Sequence, residues 1–184
     1  MDRDNNVSKS FILSIICILF IVFTIVFIST ISLTKNGLVK DREAYVVDKD
    51  NNIYGDNLHG YVELSPLWNE IRSKDSNDNS LYFKSRDGYL LTMSAFDSSE
   101  TSAYDLSNTL FKKINNSDYS GVSFTNEKIG EYVSYKVVGY NLKVNKWLYT
   151  WTFEDNGVTH FISIEGREKD SSHFKIPTTF KNNR

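Results

Sequence analysis

The hydrophobic pattern changes character twice along the chain. Residues 11–33, FILSIICILFIVFTIVFISTISL, hold no charged side chain. A run of this length matches the roughly 20 apolar residues a helix needs to cross a bilayer. From residue 45 onward, short runs of alternating apolar and polar residues are punctuated by Gly, Asn and Asp, the patterning of strands and turns. One stretch departs from it. In SSETSAYDLSNTLFKKINN, residues Ala103, Leu106, Leu110 and Ile114 recur at spacings of three and four, the stripe of an amphipathic helix. Ser99 is placed to cap its start, and Asn115 and Asn116 suit its end.

The strand signals predict an antiparallel sheet. GYVEL (60–64) is a short strand closed by Ser65 and Pro66. SLYFKS and YLLTMSAF flank Arg86-Asp87-Gly88, and Asp-Gly is a strong hairpin signal. Beyond the helix come VSFTNEKIG, YVSYKVVGY and KWLYTWTFEDNGVTHFISIEG. Asn156-Gly157 suits a two-residue type I′ turn, which predicts Trp151 opposite Ile162, Tyr149 opposite Ile164 and Phe153 opposite His160. These share one face with Trp147, because side chains alternate along a strand; Thr150, Thr152, Phe161 and Ser163 share the other. The apolar face is expected to be buried under the helix. In the tail, Phe174, Ile176 and Phe180 are expected to dock on the sheet, with a helix starting at Pro177.

The chain thus divides into a head (1–10), a transmembrane helix (11–33), a linker (34–44) and a domain (45–184). A cleaved secretory signal has a shorter apolar core, about 7–15 residues, followed by a small-residue cleavage site. No A-x-A pattern follows this run, so an uncleaved anchor is expected. Arg3 and Lys9 precede the span and Lys35, Lys40 and Arg42 follow it, which does not favour the usual positive-inside orientation. Long domains translocate largely regardless of charge, however, and only the tail is a domain. The expectation is a single-pass membrane protein whose C-terminal domain lies outside the cytoplasm.

Composition narrows function by exclusion. The one cysteine, Cys17, lies in the apolar run, so the domain has no disulfide, cysteine nucleophile or cysteine-based metal site. About 140 residues suffice for one core without such staples. The net charge of −2 does not suggest nucleic-acid binding, which usually needs a basic face. DKDNN puts Asp48, Asp50 and Asn52 at alternate positions, as in a calcium loop. Such a loop needs Gly at its sixth position and an acid at its twelfth; Ile53 and His59 stand there, so a turn is expected.

The histidines His59, His160 and His173 lack zinc-ligand spacing, and His160 is expected to pack on Phe153. No nucleophile elbow or phosphate-binding glycine loop is present. Asp75, Asp78, Asp87, Asp97, Glu100 and Asp155 read as turn residues, although a glycosidase pair among them is not visible from sequence. Trp68, Trp147 and Trp151 read as core aromatics, with a ligand-stacking platform as the competing reading. No catalytic, cofactor-binding or metal-binding residues are assigned, and no cofactor is expected.

GYVELSPLW (60–68), with its strand, Pro66 and Trp68, resembles the opening of PsbP/Mog1-like domains. The central helix after a hairpin, the paired aromatic strands and the closing IPTTF (176–180) are similar to that family's order. The opening is also similar to that of small membrane-anchored or secreted proteins of Firmicutes. The resemblance covers roughly residues 58–182. It implies an α+β fold, an antiparallel sheet in an α/β/α sandwich, and an accessory or binding role in place of catalysis; no functional residues carry over. The expected function is a membrane-anchored extracytoplasmic binding or accessory domain. It would contact membrane lipid through 11–33 and a protein or cell-envelope ligand through the domain. The alternatives are a cell-envelope hydrolase with a cryptic carboxylate site and a small regulatory or immunity membrane protein.

Overall fold

The computed structural model describes residues 52–71 and 80–182. The expected head, span and linker, the domain start near Tyr45, and Asp48, Asp50, Asp75 and Asp78 lie outside the described residues. Among the described residues no helix is long and apolar enough to cross a membrane.

The strands are β1 (Ile53–Asp56), β2 (Gly60–Glu63), β3 (Trp68–Glu70), β4 (Ser80–Ser85), β5 (Leu90–Asp97), β6 (Tyr119–Ile129), β7 (Tyr132–Asn141), β8 (Lys146–Asp155) and β9 (Val158–Gly166). Helix α1 (Ala103–Asn115) joins β5 to β6, and a 3-10 helix (Ser172–Thr179) follows β9. Strands β3 to β9 form one sheet in the order β3-β4-β5-β9-β8-β7-β6. Every pairing in it is antiparallel. Strands β1 and β2 form a separate antiparallel hairpin. This is an α+β fold.

Turn chemistry sets the register as expected. Asn156 and Gly157 both have positive φ, 47° and 81°, which a type I′ turn requires. Trp151 pairs with Ile162, Tyr149 with Ile164 and Phe153 with His160. Across the Asp87-Gly88 turn, Leu81 pairs with Met93 and Phe83 with Leu91. These residues and Trp68 share one sheet face, and most are almost fully buried.

The helix lies on the other face, contrary to expectation. Its Ser107 hydroxyl bonds the Thr152 hydroxyl, the Ala103 amide donates to Glu154 Oε1 at 2.7 Å, and Tyr104 meets Phe124 and Tyr135. Its buried residues are Ala103, Ser107 and Ile114; Leu106 and Leu110 are only half-buried. Small residues on both partners let the helix approach the threonine-rich face of β8 closely. The bulky aromatic face is filled instead by the β1–β2 hairpin and the tail. Val62, Leu64, Ile176 and Phe180 join the core there, and Phe174 stacks on Tyr149 at 3.9 Å. Docking of the tail aromatics is as expected; what the sequence left open was that this segment and the hairpin, in place of the helix, would cover most of the apolar face.

Two local expectations are also corrected. Ser102, not Ser99, is the N-cap: its Oγ accepts from the Asp105 amide at 3.0 Å. Ser99 is spent on Asp97, donating its amide and hydroxyl to Oδ1. The terminal helix begins at Ser172 and holds Pro177 inside it, because Ser171 caps the start by accepting from the His173 amide. Gly60 closes the hairpin at φ 78°, where a Cβ would sit 2.2 Å from the Phe180 ring. Any larger residue there would displace the tail.

Candidate functional site

The hairpin turn places Asp56 and His59 in a buried pair. His59 Nδ1 lies 2.8 Å from Asp56 Oδ1, and the same oxygen accepts from the backbone amides of Leu58 and His59. Burial pushes the Asp56 carboxyl upward. The bond and charge of His59, with those two amides, outweigh it and leave Asp56 below the usual carboxylate value. His160 lies next to this pair, stacked 5.4 Å from Phe153 as expected and 5.0 Å from Phe180. Its burial pulls it down to about 4, Asp155 opposes the shift, and His59 adds to it. An Asp–His pair can tune a general base, but His59 Nε2 is buried without a hydrogen bond, and the His160 ring has no side-chain partner, only the nearby His59 backbone. Clefts of about 460 and 370 Å³ near the tail are lined by neither imidazole. The pair therefore acts as a clamp on the hairpin. It ties the turn to the core that Phe180 closes.

His173 is in a second pair. Its Nε2 lies 2.8 Å from Asp87 Oδ2, and its ring sits 5.1 Å from Trp68 and 4.4 Å from Tyr89. Bonds from Ser85 and then His173 hold the exposed Asp87 carboxyl low. Carboxylate stands between hydroxyl and imidazole, whereas a nucleophilic triad needs imidazole between the other two. This pair fastens the 3-10 helix to the β4–β5 turn. The remaining described carboxylates are not gathered into a site. Asp97 and Asp155 flank Val158 across the ladder, about 10 Å apart by strand spacing. Asp97 is bonded to Ser99 and Asp155 to Asn182. Glu100 is exposed in a turn. Among the described residues no group of three His, Cys, Asp or Glu could hold a metal ion.

The three tryptophans divide. Trp68 and Trp151 are core, 3% and 1% exposed. Trp147 is half-buried, and this difference defines the most open part of the apolar face. Hairpin and tail cover β3, β4, β5, β9, part of β8 and the end of β6 and β7 that carries Ile129, Tyr132 and Ser134. On β6 and β7 the same face shows Ser123 and Thr125, exposed, and Lys136, Val138 and Tyr140, half-buried. Glu127 Oε1 accepts from Trp151 Nε1 at 2.5 Å, and Glu127 Oε2 from Lys136 Nζ at 3.0 Å. This fixes Lys136 over the Trp151 ring at 5.3 Å. Lys169 Nζ sits 5.2 Å above Trp147, its loop held by Tyr149 Oη donating to the Lys169 carbonyl at 2.9 Å. Tyr140 packs 5.2 Å from Trp147.

The result is a shallow strip of two aromatic rings, two ordered cations and two free-facing hydroxyl residues. Such a strip has area and hydrogen-bonding capacity but no enclosed volume, so it suits recognition and gives no means to exclude water from a reaction. Lys136, Lys169 and Glu127 were not singled out in the sequence. One signal was present: in YVSYKVVGY the residues sharing Tyr140's face include Lys136, a charge that a fully covered face would not carry.

No family model matches the sequence, and no curated protein matches it. Solved structures similar to the chain include a solution structure of cyanobacterial PsbP (CyanoP) from Synechocystis sp. PCC 6803. It has a TM-score of 0.46 and 12% identity, and the match covers 74% of this chain and 90% of that one. A crystal structure of a protein from Bacteroides thetaiotaomicron VPI-5482 has a TM-score of 0.49 and 15% identity, over 70% of this chain and 46% of that one. The chain thus spans less than half the length of the latter. PsbP, the family that the opening GYVELSPLW resembles, is among these neighbours. At such identities the likeness concerns the fold alone.

Proposed function

We propose that the chain is a membrane-anchored extracytoplasmic binding domain that uses the open strip on β6, β7 and β8 to hold a protein partner and carries out no chemistry. The observation that carries the reading is the Trp147–Tyr140 pair on an uncovered sheet face, with Lys136 and Lys169 held in place around it. Trp and Tyr at a partly dry centre are the usual anchors of a protein-binding surface, with charge kept to the rim. The apolar run 11–33 supports the anchored placement, and the long domain after a short head supports export of the tail.

A photo-crosslinking residue at Thr125, in the strip, should give a discrete adduct in intact cells. The same residue at Lys84, exposed on the opposite sheet face, should not. Equal labelling from both positions, or none from Thr125, would remove the strip as the binding site.

A further inference from the structure

One end of the sheet carries the exposed apolar side chains Leu67, Leu142 and Val144, at 45%, 55% and 55% exposure. Leu142 and Val144 form the tip of the β7–β8 hairpin, and Leu67 precedes β3 at the far edge. By strand spacing the two places are about 20 Å apart across the same end. Lone exposed apolar residues are ordinary; here three other features fall on the same end. Tyr140 and Trp147 stand half-buried just behind the tip. Lys146, Arg167 and Lys169 lie there, interleaved with Glu165, Glu168 and Asp170, and Lys143 sits between the two apolar residues, paired with Asp118. The chain also enters the described domain from this end. β1 runs away from it, its first residue Ile53 pairing with Glu63, and Asn52 accepts from the Leu64 amide at 2.9 Å beside Ser65 and Ser172.

We propose that this end rests on the lipid surface, with the Leu142–Val144 tip among the headgroups of the bilayer. Apolar tip residues, an aromatic pair behind them and lysines at the rim are the chemistry of an interfacial contact. The inference rests on the anchored reading. Residues 34–51 could stretch to at most about 60 Å, so a span at 11–33 would keep the tip within reach of the bilayer continuously. A tethered contact needs little intrinsic affinity, because the second event is intramolecular. Docked in this way, the strip on β6–β8 would stand upright, its partner held beside the membrane.

The test uses the full chain with Cys17→Ser, reconstituted in vesicles of phosphatidylglycerol and phosphatidylethanolamine. An environment-sensitive dye is placed at Val144→Cys or at Val133→Cys. Val133 is 58% exposed and lies at the opposite end of the sheet. Flotation after an alkaline carbonate wash reads the anchor separately. The expected result is flotation of both variants, with the Val144 dye blue-shifted and quenched by lipid-borne spin labels several-fold more than the Val133 dye. Flotation with both dyes equally wet overturns the docking and leaves the anchor standing. Loss of both variants from the vesicles overturns the two together.

Discussion

Replacing Phe180 by Ala would remove the ring that follows the 3-10 helix. The structure gives this ring a large share of the packing between tail and sheet. It is 6% exposed and packs edge-on against Phe153 at 4.7 Å and Tyr132 at 5.7 Å. It also covers His160 and fills the space left by Gly60. Truncating a buried Phe costs about 3–5 kcal/mol, a third or more of a typical domain's stability of about 5–15 kcal/mol. At a urea slope of about 2 kcal/mol per M, the midpoint should fall by about 2 M. Leu106→Ala on the helix should cost far less, about 1 kcal/mol, because Leu106 is half-buried on the opposite face. Equilibrium urea unfolding of residues 35–184, followed by tryptophan fluorescence, measures both. If Leu106→Ala proves the more damaging change, the helix covers the aromatic face after all, and the layer order described here is wrong.

Three other expectations follow from local geometry. His160 is neutral in the fold, its value lowered to about 4 from 6.5, so below 6.5 the unfolded chain binds more protons. Stability should be full above pH 6.5 and fall by about 3 kcal/mol towards pH 4; the low Asp56 adds a further loss below that. His160→Gln should flatten the slope in a pH series of urea midpoints. Ser102→Ala should lower stability by about 1 kcal/mol through loss of the cap, whereas Ser99→Ala should lower it by less; thermal melts separate the two. Millimolar calcium should leave the melting temperature unchanged, since the residue at the twelfth loop position, His59, is sealed against Asp56; a rise abolished by Asp48→Ala would contradict that.

The sheet was legible because its rules are local. Asn156-Gly157 fixes a two-residue turn, and from it the register of the paired strands β8 and β9 follows by simple alternation. The tail aromatics were legible for a similar reason: Phe174, Ile176 and Phe180 among polar neighbours need a surface to cover. What covers which face is a different kind of question. The stripe on α1 says that one side is buried without naming its partner, and the more apolar sheet face was the natural guess. The choice turned on steric fit. Ala103 and Ser107 match Thr150 and Thr152, while the wide gap over Trp151 and Phe153 needs the bulk of Phe180, Ile176 and Leu64. The open strip was harder still, because it depends on where the tail stops covering β8, and no periodicity encodes that edge. Trp147 and Trp151 sit four residues apart on the same face of one strand, so alternation alone could not separate the ring that is core from the ring that faces out.

The most direct test of a binding strip compares those two rings. Trp147→Ala and Trp151→Ala are introduced separately into the full chain carrying the photo-crosslinker at Thr125. Trp147→Ala should keep the near-ultraviolet circular dichroism of a packed fold and lose the adduct, because the ring contacts a partner. Trp151→Ala should lose the packed signal itself, because its ring is 1% exposed at the centre of the core. A Trp147→Ala protein that folds and still yields the full adduct would contradict the assignment of the strip as the binding surface.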